Sequence, residues 1–185
     1  MRNITLAGVS LLCLSTNSWA EIDPQDIHIG VFRFTPTLEL RESYNDNYRG
    51  LSTNEQESWI TGISPTFLLS TGNRNSEYEL QYNADNQTYH SDSEASHTDH
   101  HVRLRSIMEL TSRHRLSWGL EYHRVEETSD TESITENDKY SQAIARASYR
   151  YGAPTARNQL EFGTHYEQRR YHNSGDLNAS EERDS

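Results

Sequence analysis

The chain has 185 residues, of which 32% are hydrophobic, and a formal net charge of -11; its mean hydropathy is -0.95. It is too polar for a bundle of membrane helices, and beyond the first twenty residues no apolar run is long enough to span as one. The acid excess also argues against a nucleic-acid partner, because holding phosphates needs a basic face.

Residues 1–20 read as a secretory signal peptide that takes the chain through the inner membrane. Arg2 is its positive end, Ile4 to Leu14 its apolar core, and Ser18-Trp19-Ala20 its cleavage site. Cys13, the one cysteine, lies inside this segment, preceded by Leu11 and Leu12 rather than by the small residues of a lipoprotein signal. The exported chain then has no thiol and no disulfide. Residues 21–185 form the domain whose fold is at issue, with Asp23 to Asp26 as a short exposed lead-in.

The first predicted strand runs from about Ile27 to Tyr44. Phe34, Leu38 and Leu40 share one face with Phe32 and Pro36, while Arg33, Glu39 and Arg41 share the other. Such alternation marks a strand with one apolar and one polar side. Pro36 removes a ladder donor, so a kink or local break is expected there. After a polar loop, the second strand (about Trp59 to Ser70) aligns Trp59, Ile63, Pro65, Phe67 and Leu69. A turn at Thr71 to Ser76 leads to the third, about Glu77 to Tyr89, with Tyr78, Leu80 and Tyr82 opposite Glu79, Gln81 and Asn83.

A polar loop at about His90 to His100 precedes the clearest stretch, His101 to Val125. Val102, Leu104, Met108 and Leu110 alternate with Arg103, Arg105 and Glu109. A turn is expected at Ser112-Arg113-His114. Then Leu116, Trp118, Leu120 and Tyr122 alternate with Ser117, Gly119, Glu121 and His123. These are the fourth and fifth strands, a β-hairpin whose arms have the length a tilted strand needs to cross a bilayer. With a three-residue turn, Arg105 would lie across from Glu121 and Arg103 from His123.

A strongly acidic loop from Glu126 to Asp138 leads to the sixth strand, about Tyr140 to Tyr151. There Ala143, Ala145, Ala147, Tyr149 and Tyr151 oppose Gln142, Arg146 and Arg150. A short turn from Gly152 to Arg157 precedes the seventh, about Gln159 to Tyr171. Leu160, Phe162 and Tyr166 face outward; Glu161, His165, Glu167 and Arg169 face inward. Arg146 and Arg150 would meet Glu161 and His165 across this hairpin.

Long and short connections alternate, as they do in outer-membrane barrels and have no reason to do in a soluble sandwich. Trp59, Tyr78, Tyr122, Tyr140, Tyr151 and Tyr166 gather toward strand ends, as in an interfacial girdle. The expected fold is all-β, an antiparallel up-and-down transmembrane β-barrel. Its apolar set would face outer-membrane lipid and its charged set would line the lumen. Seven strands are odd in number and leave two open edges, which hydrocarbon does not tolerate. The sequence therefore reads as the N-terminal portion of a larger barrel, or as one of several copies that close a barrel together.

Several segments resemble an outer-membrane β-barrel, porin-like family found with capsular and exopolysaccharide synthesis and export systems. They are TPTLELRESYNDN, WITGISPTFLLS, YELQYNAD, HRLSWGLEYHR and ASYRYGAPTARNQLEFGTHYEQRRY, the more particular features being Asp46-Asn47 and the Gly152-Ala153-Pro154-Thr155 turn. The resemblance implies a place in the Gram-negative outer membrane, beside polysaccharide or its export machinery, reached through the barrel-assembly machinery.

The inward charges could bind sugar hydroxyls or filter ions, or could simply neutralise one another in a wet interior. His97, Asp99, His100 and His101 could ligate zinc or copper, but period-2 geometry sends His100 and His101 to opposite faces, and no metal is assigned. Serine, histidine and acids abound without a nucleophile elbow, so neither an enzyme nor a cofactor is assigned. A structural or adhesive outer-membrane protein, binding cations or matrix polysaccharide through acidic loops, is the alternative.

Overall fold

The computed structural model describes residues 26–128 and 137–172. The signal peptide, most of the acidic loop and the final polar run lie outside the described residues. The rest is one antiparallel sheet in which each strand pairs with its sequence neighbours. Its strands are β1 (Ile27–Ile29), β2 (Phe32–Asn45), β3 (Ser58–Gly72), β4 (Ser76–Tyr89), β5 (His97–Thr111), β6 (His114–Glu127), β7 (Asp138–Tyr151) and β8 (Leu160–Tyr171). The predicted up-and-down order is present, but β1 and β8 do not pair and the sheet is open.

There are eight strands rather than seven because the first predicted strand folds back on itself. Gly30 has φ +63°, and Ile29 pairs with Phe32 across a two-residue turn. A hairpin turn of that length needs positive φ at its first central residue, which glycine adopts without strain. Pro36 produces no break. The β2–β3 register runs unbroken from Arg33 to Asn45, since β1 covers only the start of β2 and leaves the rest as an edge, where proline is tolerated. The interruption falls instead at Ser64 and Pro65, which have no ladder partners on β4. There the Ser64 hydroxyl donates to Asp85 at 2.5 Å.

The turn at 112–113 has two residues, and His114 already belongs to β6. A bulge between Glu109 and Thr111 shifts the register, so Arg103 lies across from Glu121 and His101 from His123. The expected pairs, Arg105–Glu121 and Arg103–His123, are thus each off by two residues. His97 to His100 belong to β5 rather than to the preceding loop. The connection after β7 runs over 152–159, longer than the short turn expected. It is folded on itself, with the Gln159 side chain donating to the Ala153 and Pro154 carbonyls.

Directly opposed residues share a face, so the register sorts every side chain. One face joins Phe34, Leu38, Leu40, Trp59, Phe67, Leu104, Met108, Trp118, Leu120, Tyr122, Tyr149, Tyr151, Phe162 and Tyr166. Tyr140 is a correction: it opposes Val125 and Tyr171 on the other, charged face. Among the described residues nothing covers the apolar face. Leu40 is 68% exposed, Phe162 66% and Leu120 49%. Its rings instead meet along the sheet, with Phe34, Phe67 and Tyr82 stacked at centroid separations of 6.0 and 6.3 Å. An apolar face this large and this bare is made for a non-aqueous neighbour.

The band has a definite height. On β5 it runs from Val102 to Leu110, roughly 21 Å along the barrel axis at a strand tilt of ~40°. Above it, toward the long loops, the same face turns polar at Thr98, His100, Arg124, Ser141 and Arg170.

The compact apolar cluster lies in the long loops. Tyr48, Tyr89 and Ala95 are buried together and pack against Ile60. Because Tyr89 and Ile60 point to the charged face, the 46–57 loop folds inward over its upper end. Arg49 and Asp92 pair at 2.7 Å, and the Tyr48 hydroxyl donates to the same carboxylate at 2.7 Å. Burial pushes the Asp92 carboxyl up, but hydrogen bonds from Arg49, Tyr48 and the Glu94 backbone outweigh it and hold it below the usual carboxylate range. The bond to Asp92 raises the Arg49 guanidinium further, while burial and the Asp92 charge raise the Tyr48 phenol.

Candidate functional site

The charged face is the candidate site. It gathers all fourteen inward candidates: Arg33, Glu39, Arg41, Glu79, Arg103, Arg105, Glu109, Glu121, His123, Arg146, Arg150, Glu161, His165 and Glu167. Alternation alone fixes this, since each sits an odd step from an apolar neighbour on its own strand.

Most of these groups are paired across strands. Arg105 meets Glu79 at 2.5 Å, Arg146 meets Glu121 at 2.5 Å, and Arg150 meets Glu161 at 2.9 Å. Arg115 pairs with Glu109, Arg103 donates to the Gln81 side chain, and Gln142 donates to Glu167. His123 and His165 lie 3.4 Å from Glu121 and Glu167 respectively. At the edge, Arg33 reaches Asp26 at 3.7 Å and Ser70 at 3.3 Å. Arg150 opposes Glu161 and Arg146 opposes His165, as expected from sequence, although Arg146 spends its charge on Glu121 of β6 instead.

Gly119 sits between Arg105 and Arg146 in one cross-strand row. Gly62 lies beneath Arg41, whose guanidinium would stand 3.4 Å from an added Cβ. Near the centre, Thr66, Gln81, Asn83, His101, Arg103, Glu121 and His123 line an open depression of about 190 Å³. The His101 and His123 rings meet edge to face at 4.6 Å. His97, Asp99 and His101 share the charged face while His100 is on the other, its Nδ1 2.9 Å from the Tyr82 hydroxyl. Alternation placed the neutral Gln81, Asn83 and Gln142 on this face, as the register does, but with no charge to mark them they were not counted among its candidates.

The arrangement offers hydrogen-bond donors, acceptors and compensated charges over a broad, wettable surface. One bare apolar face, one ion-paired polar face and up-and-down hairpins define a β-barrel membrane protein of the outer-membrane type. The chain belongs to the family described as Putative beta-barrel porin 2, whose model matches residues 20–184. Membership places it with porin-like barrels of the outer membrane. No curated protein and no solved structure matches it.

Proposed function

We propose that the charged face lines a water-filled lumen and that the protein acts as a passive pore or accessory in capsular or exopolysaccharide export. The observation that carries the lumen is the sorting of faces. Lipid rewards the bare apolar band, and water accommodates the ion-paired side. Cross-strand pairing leaves little net charge in the middle of the face, which suits uncharged, hydroxyl-rich solutes better than a strict ion filter. The polysaccharide role rests on the sequence resemblance. The long connections face the cell exterior, the short turns face the periplasm, the first twenty residues take the chain through the inner membrane, and the barrel-assembly machinery inserts it.

Planar-bilayer recording tests the pore. Arg103→Ala with Arg105→Ala is expected to uncover Glu79, remove two cations from the face and shift selectivity toward cations; unchanged conductance and selectivity would reject a lumen on this face. Deletion in the host tests the pathway: loss of secreted polysaccharide supports export, and normal secretion with lost attachment supports an adhesive role.

A further inference from the structure

Most arginines of the charged face have a partner. Arg33, Arg105, Arg115, Arg146 and Arg150 each find a carboxylate, Arg103 donates to the Gln81 side chain and Arg169 lies over the Tyr140 ring, while Arg41 of β2 has no ion pair among the described residues. Arg124 and Arg170 lie on the apolar face, both exposed, and among the described residues neither forms an ion pair or a side-chain hydrogen bond. Glu126, two positions along β6 from Arg124 on the same face, is engaged by Lys139 at 3.5 Å.

The two arginines are also aligned. Arg124 opposes Ser141 across β6 and β7, and Ser141 opposes Arg170 across β7 and β8. The guanidinium stems therefore start about 10 Å apart, two strand spacings, with a hydroxyl between them. Ser141 Oγ lies 2.9 Å from His172 Nε2. With that nitrogen protonated, the serine accepts from it and keeps its own proton to donate.

Below this row the surface is grooved. Ala143, Ala145 and Ala147 follow Ser141 down β7, opposing Tyr122, Leu120 and Trp118 on β6. On the other side Ala143 opposes Gln168, Ala145 opposes Tyr166 and Ala147 opposes Thr164. Methyl groups thus floor a trough one strand wide, walled by large side chains on β6 and by Gln168 and Tyr166 on β8. Its open upper end is the arginine row, where the apolar band gives way to polar residues.

We propose that Arg124, Ser141 and Arg170 bind the phosphate of an outer-leaflet lipid headgroup, with an acyl chain of that lipid lying in the trough. Two unpaired guanidiniums at the rim of an apolar band complement an anion tethered to hydrocarbon. Arginine suits phosphate because its planar fork donates two parallel charge-assisted bonds. The site rests on the barrel reading with the long loops outside, which sets this row at the height of the outer-leaflet headgroups.

The full chain, extracted from outer membranes in mild detergent, can be titrated with bisphosphorylated lipid A and with enzymatically dephosphorylated lipid A, and bound lipid counted by native mass spectrometry. The wild-type protein is expected to hold the phosphorylated form about tenfold more tightly, the scale of one lost charge-assisted contact. Arg124→Gln with Arg170→Gln should abolish that preference while the protein keeps its heat-modifiable gel mobility. Ala145→Phe, which fills the trough and leaves the cations, should weaken both lipids. Equal binding of the two lipids, or an undiminished preference in the double variant, overturns the site while leaving the barrel standing. A wild-type chain that does not fractionate with the outer membrane overturns both.

Discussion

Arg49 and Asp92 stand 43 positions apart in sequence, yet they pair at 2.7 Å and clasp two long loops together. Arg49 is 6% exposed and Asp92 22%, so water screens the pair little. Either Arg49→Ala or Asp92→Ala leaves a charge in a largely desolvated place and is expected to cost about 1–3 kcal/mol of local stability. Limited proteolysis should show faster cleavage within residues 46–57, with the strands still protected.

The same clasp predicts two pH limits. The folded-state pKa of Asp92 is depressed, so its contribution is full above the ordinary carboxylate range and is lost as pH falls through the depressed value. Tyr48 is raised, so its contribution is full below the ordinary phenol range and is lost as pH climbs through the raised value. Protease susceptibility of the loop should stay flat between these limits and rise beyond each. Asp92→Asn should remove the acid limit.

Ser106 carries a second prediction. It is 2% exposed, it lies between Tyr78 and Trp118 across the sheet, and its hydroxyl has no partner. A buried, unpaired hydroxyl costs folding free energy. Ser106→Ala should be neutral or stabilising by up to about 1 kcal/mol in urea unfolding from vesicles, whereas Ser64→Ala, which removes the donor to Asp85, should destabilise.

The register is open to direct test by cross-linking. In the exported chain, cysteines at 103 and 121 should bridge readily, because directly opposed Cα atoms stand about 4.5–5.5 Å apart. Cysteines at 105 and 121 should not. The reverse result would restore the three-residue turn and remove the bulge at Leu110.

These tests fall where the sequence was and was not legible. Facing was legible, because alternation such as Leu104, Arg105, Ser106 survives any choice of partner. Register was not, because a bulge inserts one residue without altering composition. The hairpin at Gly30-Val31 was hidden because Ile27, Ile29 and Val31 continue the alternation straight through the turn. Tyr140 was misplaced by reading aromatic position without parity, although Gln142 on the same strand already faced inward. The Tyr48–Arg49–Asp92 clasp was invisible, since nothing local joins residues that far apart.

The account stands or falls on which face meets lipid. Spin labels placed one at a time at residues 116 to 123, in protein reconstituted into bilayers, measure collision with oxygen, which concentrates in lipid, and with a polar nickel chelate, which stays in water. Positions 116, 118, 120 and 122 should favour oxygen and positions 117, 119, 121 and 123 should favour nickel, two curves of period two in opposite phase. Loss of that opposition, with the even positions sealed from both reagents inside protein, would contradict it.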